Sequence, residues 1–320
     1  MKKIPGRIAL AALCLWLLPQ SVFAAQLLVP VGQVVGLELG GNTVTVAAFD
    51  DVLGAQAREA GLQVGDEIVK INDKEVTSAE DVHQALAHSD GTVEVEVQRD
   101  GEMVSVNMAP EITQNGPRLG VYLRQGVTGI GTVTFYDPET GRFGTLGHGV
   151  NDAKGDLGQM HRGNAYRATV VSVKKGRAGS PGQLRGAVED ALGSLYGNTV
   201  QGVFGTTDSG WLGEAIPVAA AEEICTGPAV IRSTVSGDQV REYSVEILKI
   251  YPDSKEDGRN LLLKVTDAAL LEATGGIVQG MSGSPIIQDG KLIGAVTHVL
   301  VNDPTTGYGI FIENMLDAAA

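Results

Sequence analysis

The run Gly280-Met281-Ser282-Gly283-Ser284-Pro285 sets a serine among glycines and leads into apolar Ile286-Ile287 and a turn at Gln288-Asp289-Gly290. Glycines let the backbone turn tightly, so that a hydroxyl and neighbouring N–H groups point into one space. Acyl transfer uses that combination, a nucleophile beside two donors placed where an oxyanion forms, and Gly280 and Ser282 are the donors this turn offers. A serine needs a base. His148 lies in Phe143-Gly144-Thr145-Leu146-Gly147-His148-Gly149, where small residues clear space around an imidazole at the end of an apolar strand. His161, in Gln159-Met160-His161-Arg162-Gly163, has polar neighbours and is expected at the surface. His298 alternates with apolar residues in Val296-Thr297-His298-Val299 and is expected as a packed sheet residue. A carboxylate that orients the base has two candidates. Asp190, 42 residues after His148, sits in a segment that reads as an exposed turn or short helix. Asp267, 15 residues before Ser282, ends the apolar run Leu261–Val265, and would equally cap a helix from Ala268 to Thr274 that Gly275 ends. No His-Glu-x-x-His or paired-cysteine spacing occurs, and the glycine runs 126–131 and 275–280 lack a phosphate-binding lysine or dinucleotide fingerprint. Neither a metal nor a cofactor is expected.

These residues need strands to hold them. From Leu119 onward, short apolar runs recur at Leu119–Leu123, Ile130–Tyr136, Ala168–Val173, Val245–Tyr251, Leu261–Val265 and Leu292–Val301, separated by turns such as Asp137-Pro138-Glu139-Thr140-Gly141. Many short strands rich in glycine predict an antiparallel barrel or a pair of barrels. Before them, residues 32–109 read as a small mixed domain. Thr43–Phe49 and Glu67–Ile71 are strands, and Ser78 caps an amphipathic helix running to about His88, with His83 and His88 as solvated helix residues. Thr92–Val97 and Met103–Val106 form a hairpin over Asp100-Gly101. The proline-bearing segment 110–117 is the expected linker between this domain and residues 118–320. The fold class predicted is mainly β with minor α.

Composition narrows the partners. The 320 residues carry 24 Lys and Arg against 38 Asp and Glu, a net charge of −14, which disfavours nucleic acid and anionic lipid. Hydrophobic residues at 43% allow real cores, and 43 glycines with only 5% aromatics argue for turns and strands over a helical bundle. Residues 1–24 read as a signal peptide. Lys2, Lys3 and Arg7 precede the apolar run Ile8–Leu18, which is shorter than the ~20 residues of a bilayer span, and Val22-Phe23-Ala24 supplies a cleavage site. The alternative is an uncleaved anchor. Of two cysteines, Cys14 lies in this segment and Cys225 is expected as a buried small hydrophobe, so no disulfide forms within the exported chain.

Two resemblances follow from these strings. The segment from Ala57 to Asn72, Ala-Arg-Glu-Ala-Gly-Leu-Gln-Val-Gly-Asp-Glu-Ile-Val-Lys-Ile-Asn, resembles the signature of PDZ domains. That resemblance implies a peptide C-terminus or internal segment adding as a strand beside an apolar-Gly-apolar loop, here Val35-Gly36-Leu37, with the helix from Ala79 to His88 as the opposite wall. The serine loop resembles the nucleophile loop of chymotrypsin-like peptidases, with Met281 in place of Asp and Ser284 in place of Gly. A PDZ domain before such a domain, the histidine loop and the run from Gly294 to Ile310 resemble the stage IV sporulation protein B family of serine peptidases, across residues 30 to 317. The family resemblance implies a chymotrypsin-like antiparallel barrel domain and a catalytic set of His148, Ser282 and Asp267. It further implies an exported endopeptidase working between forespore and mother-cell membranes. Such an enzyme would cleave a membrane-bound regulator of an intramembrane protease, activate a late sigma factor and process itself. Two other classes compete: an inactive PDZ scaffold, which would need neither Ser282 nor His148, and a quality-control protease-chaperone, in which the PDZ domain usually follows the catalytic domain.

Overall fold

The computed structural model describes residues 26–320 apart from 90, 153–154, 161 and 254–257, and apart from the side chain of Asn42. The expected signal peptide and His161 lie outside the described residues. In chain order the strands are β1 (Leu27–Pro30), β2 (Val34–Phe49), β3 (Glu67–Ile71), β4 (Lys74–Glu75), β5 (Val93–Arg99), β6 (Glu102–Met108), β7 (Glu111–Thr113), β8 (Gly116–Arg118), β9 (Val121–Tyr136) and β10 (Arg142–Thr145). There follow β11 (Arg162–Lys174), β12 (Gln183–Thr199), β13 (Gly202–Thr206), β14 (Ile216–Pro217), β15 (Gly227–Thr234), β16 (Val240–Ile250), β17 (Leu261–Val265), β18 (Pro285–Gln288), β19 (Lys291–Leu300) and β20 (Asp303–Phe311).

Two closed barrels carry the chemistry. In the first, β2, β9, β10, β13, β12 and β11 pair in that cyclic order, with β2–β9 pairing closing the ring. The second closes as β15-β16-β17-β20-β19-β18. Alternating burial along β15 and β16, with Ile231, Tyr243, Val245 and Ile247 inside, is what period-two strands around a filled barrel require. The C-terminal helix Ile312–Ala319 fastens the barrels together: its Ile312 and Met315 pack with Phe135 and Phe204 of the first and Leu292, Ala295 and Ile310 of the second.

The PDZ domain is an insertion in the first hairpin of the first barrel. β2 and β9 are each 16 residues long; their inner halves build the barrel and their outer halves, Val44–Phe49 and Val121–Gln125, run on into the PDZ sheet. There Val44 and Thr45 pair with β3, which pairs with β5, which pairs with β6. Ser78 accepts the Asp81 N–H as expected of the cap, and Asp100 (φ 49°) and Gly101 (φ 85°) make the hairpin turn with the positive φ angles that Asp-Gly favours. The domain boundary expected at residue 32 is therefore corrected. Residues 34–39 are barrel strand, paired with both β9 and β11, because the chain makes one barrel strand before entering the PDZ domain. The segment 110–117 holds a short β7–β8 hairpin.

Candidate active site

Ser282 and His148 are brought to one cavity between the barrels, about 390 Å³ in volume. Its walls come from Leu37, Leu39, Val127 and Ile130 of the first barrel and Ile277, Val278 and Val299 of the second. Among the described residues, no Asp, Glu, Lys or Arg lines it.

Thr132 of β9 is the joint between the two halves of the site. Its hydroxyl donates to the Gly280 carbonyl (2.8 Å) and its N–H to the Ser282 carbonyl (2.9 Å), gripping the nucleophile turn at both ends. Its own carbonyl accepts from the Thr145 hydroxyl (2.7 Å) and the Leu146 N–H (3.3 Å), just before His148 in the chain. One fully buried residue thus sets the base-bearing loop against the serine-bearing loop. The glycines beside it are forced by contact. A Cβ on Gly283 (φ +95°) would lie 2.0 Å from the Thr132 carbonyl oxygen. One on Gly147 (φ +69°) would lie 2.9 Å from the Thr297 methyl of the other barrel. Leu146 shares the positive φ, at 69°, and the two consecutive left-handed residues turn the chain so that His148 follows into the cleft.

Ser282 is half-buried, and its hydroxyl donates to the Thr297 carbonyl at 2.9 Å. Among the described residues, neither the Gly280 nor the Ser282 N–H donates to a protein acceptor, whereas Met281, Gly283 and Ser284 all do. The two donors expected for an oxyanion are the two left available. Ser284 is fully buried, and its hydroxyl bonds Ser233 within the second barrel. His148 Nδ1 lies 2.8 Å from the Gly149 carbonyl, so that nitrogen carries the proton and Nε2 keeps its lone pair. Burial pushes the imidazole below the ordinary histidine value of 6.5, only partly opposed by that carbonyl, which favours the neutral ring.

The structure does not bring Asp267 to His148. It lies just past β17 and caps the helix Ala268–Thr274: Oδ1 accepts the Leu270 N–H at 2.9 Å and Oδ2 the Ser244 N–H at 3.4 Å. Asp190, the other candidate, is exposed on β12, a 17-residue strand where a turn or short helix was expected. Among the described residues no carboxylate bonds His148; the Gly149 carbonyl occupies its Nδ1.

His298 departs from its expectation. It lines the catalytic cavity, with its ring centroid 5.4 Å from that of His148. Alternation in β19 identified a strand but not which face meets the other barrel: Thr297 points into the second barrel, its hydroxyl on the Gly258 carbonyl, so His298 points into the cleft. Cys225, expected to be buried, is exposed, because it follows a short 3₁₀ turn outside the second barrel.

Val35-Gly36-Leu37 is not a peptide-binding loop. Gly36 pairs with Ile130 on one side and Tyr166 on the other, so neither edge can accept another strand, and Val35 and Leu37 are buried in the barrel. The open edge belongs to β9. Val121–Gln125 pairs with β2 on one edge, no strand pairs with the other among the described residues, and the helix Ala79–Ala87 packs beside it. Leu119-Gly120-Val121 is the apolar-Gly-apolar turn that precedes this edge, and Arg118 donates to His83 of the helix at 3.3 Å.

Two closed six-stranded barrels meeting at a serine and a histidine, with a PDZ domain in the first hairpin, define a PDZ-containing peptidase of chymotrypsin-like architecture. The SpoIVB peptidase S55 family matches residues 115–316 and a PDZ domain family matches residues 53–99. The chain belongs to the SpoIVB peptidase S55 family. It is similar to a putative zinc metalloprotease of Helicobacter pylori, 33% identical over 76 residues, 24% of this chain and 22% of that protein. It is similar also to mitochondrial serine protease HTRA2 of Drosophila sechellia, 35% identical over 66 residues, 21% of this chain and 16% of that one. The chain spans between 16% and 34% of the length of the curated relatives it matches. Among solved structures, the active form of the Rv3671c protease from M. tuberculosis is 19% identical, with 61% of this chain and 75% of that chain covered and a TM-score of 0.36.

Proposed function

We propose that this chain is an exported serine endopeptidase that cleaves a membrane-associated regulatory protein during spore formation, releasing an intramembrane protease and so activating a late sigma factor, and that it processes itself. The observation that carries the catalytic part is the pairing of Ser282 and a neutral His148 in one cavity where the Gly280 and Ser282 N–H groups are free to donate. Membership of the SpoIVB family supports the choice of substrate and setting.

The chemistry is acyl transfer. Rotation of the Ser282 hydroxyl off the Thr297 carbonyl presents its proton to His148 Nε2, and the oxygen attacks the peptide carbonyl. The Gly280 and Ser282 amides hold the resulting oxyanion. The imidazolium, with its Nδ1 proton on the Gly149 carbonyl, returns the proton from Nε2 to the leaving amine. Water then repeats the sequence to free the acyl group. The apolar walls that Leu37, Leu39, Val127, Ile130, Ile277, Val278 and Val299 give the cavity support substrates with apolar residues beside the scissile bond.

Incubation with a fluorophosphonate probe followed by peptide mapping tests the reading: adduct at Ser282, absent from Ser282→Ala, is expected. Adduct elsewhere, or none, would sink it. Co-expression with membrane-embedded candidate regulators and N-terminal sequencing of the exported form test the target, the removal of residues 1–24 and self-cleavage.

A further inference from the structure

One strand passes both the peptide groove of the PDZ domain and the catalytic cavity. From Val121 to Gln125, β9 offers its open edge to the helix Ala79–Ala87; from Val127 to Ile130 the same strand lines the cavity that holds Ser282 and His148. From Val121 to Gln125 and again from Val127 to Thr132 the other edge of β9 is taken by β2, with a register shift at Gly126 between the two runs, so the open edge stays on one side. It ends at Thr132, whose N–H already bonds the Ser282 carbonyl, and from Val133 onward β10 covers it. Tyr122, Arg124, Thr128 and Gly129 along this stretch are exposed.

We infer that the carboxy-terminal segment of the protein substrate adds as one antiparallel strand to this edge, reaching from the scissile bond to the PDZ domain, so that the enzyme cuts at a set distance from the substrate's free carboxyl end. The inference rests on the peptidase reading above and specifies its substrate.

Direction and charge both support this occupant. β9 runs from the PDZ domain toward the serine, so an antiparallel partner runs from the serine toward the PDZ domain and ends there. At that end stand the Leu119-Gly120-Val121 turn and the Arg118 guanidinium, which supplies the positive charge a terminal carboxylate needs. The residues on the cavity side belong to the base-bearing barrel, where the leaving amine must collect its proton from His148. The leaving part of the substrate is therefore the part directed along β9. β-Augmentation supplies affinity through main-chain hydrogen bonds, without demanding a particular sequence over the span. From Val121 to Ile130 the strand takes nine steps, which at ~3.3 Å each is about 30 Å, so the cut should fall roughly eight to twelve residues before the carboxyl end. The turn-like conformation of Gly126 (φ +78°) within this stretch is the reason for a range instead of a single value.

The test uses the full chain and mixtures of randomised peptides about thirty residues long, made with free or amidated carboxyl ends. Mass spectrometry reads the distance of each cut from the end. With free ends, cuts should cluster within the eight-to-twelve window at least tenfold over other distances. Amidation, or Arg118→Ala acting on free-ended peptides, should cut that preference by at least fivefold. Lengthening the peptides at their amino ends should leave the distance unchanged. Cuts spread without regard to the carboxyl end, or the same clustering on amidated peptides, would overturn the inference while fluorophosphonate labelling of Ser282 left the peptidase reading standing. Failure of that labelling would remove both.

Discussion

Thr132→Val removes one hydroxyl while keeping the shape of a fully buried β-branched residue. Its main-chain bonds to Ser282, Thr145 and Leu146 persist, so the barrels remain joined and only the Gly280 carbonyl loses its donor. A buried acceptor left without its bond costs about 1–3 kcal/mol. The part of that cost expressed at the transition state appears in kcat, because the Gly280 carbonyl adjoins one of the two oxyanion donors and the turn that aims that donor is held less firmly once the bond is lost. At ~1.4 kcal/mol per tenfold, the fall is roughly 5- to 150-fold. KM should change by less than about threefold, since Thr132 is fully buried and is not among the residues that line the cavity. Steady-state hydrolysis of a short apolar peptide, with the second-order rate of fluorophosphonate inactivation alongside, measures both. Thr132→Ser, which keeps the hydroxyl, should recover most of the rate, and denaturant midpoints should show the Val variant folded. A Val variant as fast as the parent would refute the clamp, as would a Ser variant as slow as the Val.

Other outcomes follow from the same geometry. With His148 held below 6.5 by burial, activity should rise with pH through a midpoint under that value, because the neutral ring is the base. The unfolded chain binds the proton more readily, so this group's contribution to stability also rises with pH across the interval between the folded value and 6.5 and is lost below it. An acid limb in kcat/KM at or above 6.5 would contradict this. Asp267→Asn, which keeps the helix cap, should leave turnover within about threefold, while Asp267→Ala should cost about 1 kcal/mol in denaturant unfolding. A thousandfold loss in the Asn variant would instead place that carboxylate in catalysis. In the PDZ domain, Asp66 is buried and takes two 2.7 Å bonds from Arg99, so Asp66→Ala should lose about 3 kcal/mol of local stability, read as faster hydrogen exchange over residues 44–108. Ser284→Ala, which removes only the bond to Ser233, should keep labelling at Ser282.

What residues 280–285 and 143–149 dictate is local: glycines at positions with no room for a Cβ, and a serine and a histidine at the ends of turns. These were legible without a fold, as were the Asp-Gly hairpin, the Ser78 cap and the strand Leu261–Val265, each governed by neighbours within a few positions. The order of elements also carried the two-domain, mainly β character. What could not be read were choices made by partners far along the chain. Val35-Gly36-Leu37 has the composition of a peptide-binding loop, yet β9 and β11, about a hundred residues away in sequence, take both its edges. The same three-residue pattern at Leu119-Gly120-Val121 is left with the open edge instead. Asp267 had two occupations open to it, and the helix end beside it took one oxygen while the Ser244 N–H of β16 took the other. His298 alternated as any sheet residue does, and only the docking of one barrel on the other decided that its face was the catalytic cleft. Backbone turns and caps are settled by residues in sequence contact, whereas strand edges and cleft walls are settled by which distant segments pack there in the folded state, and sequence spacing holds no record of that packing.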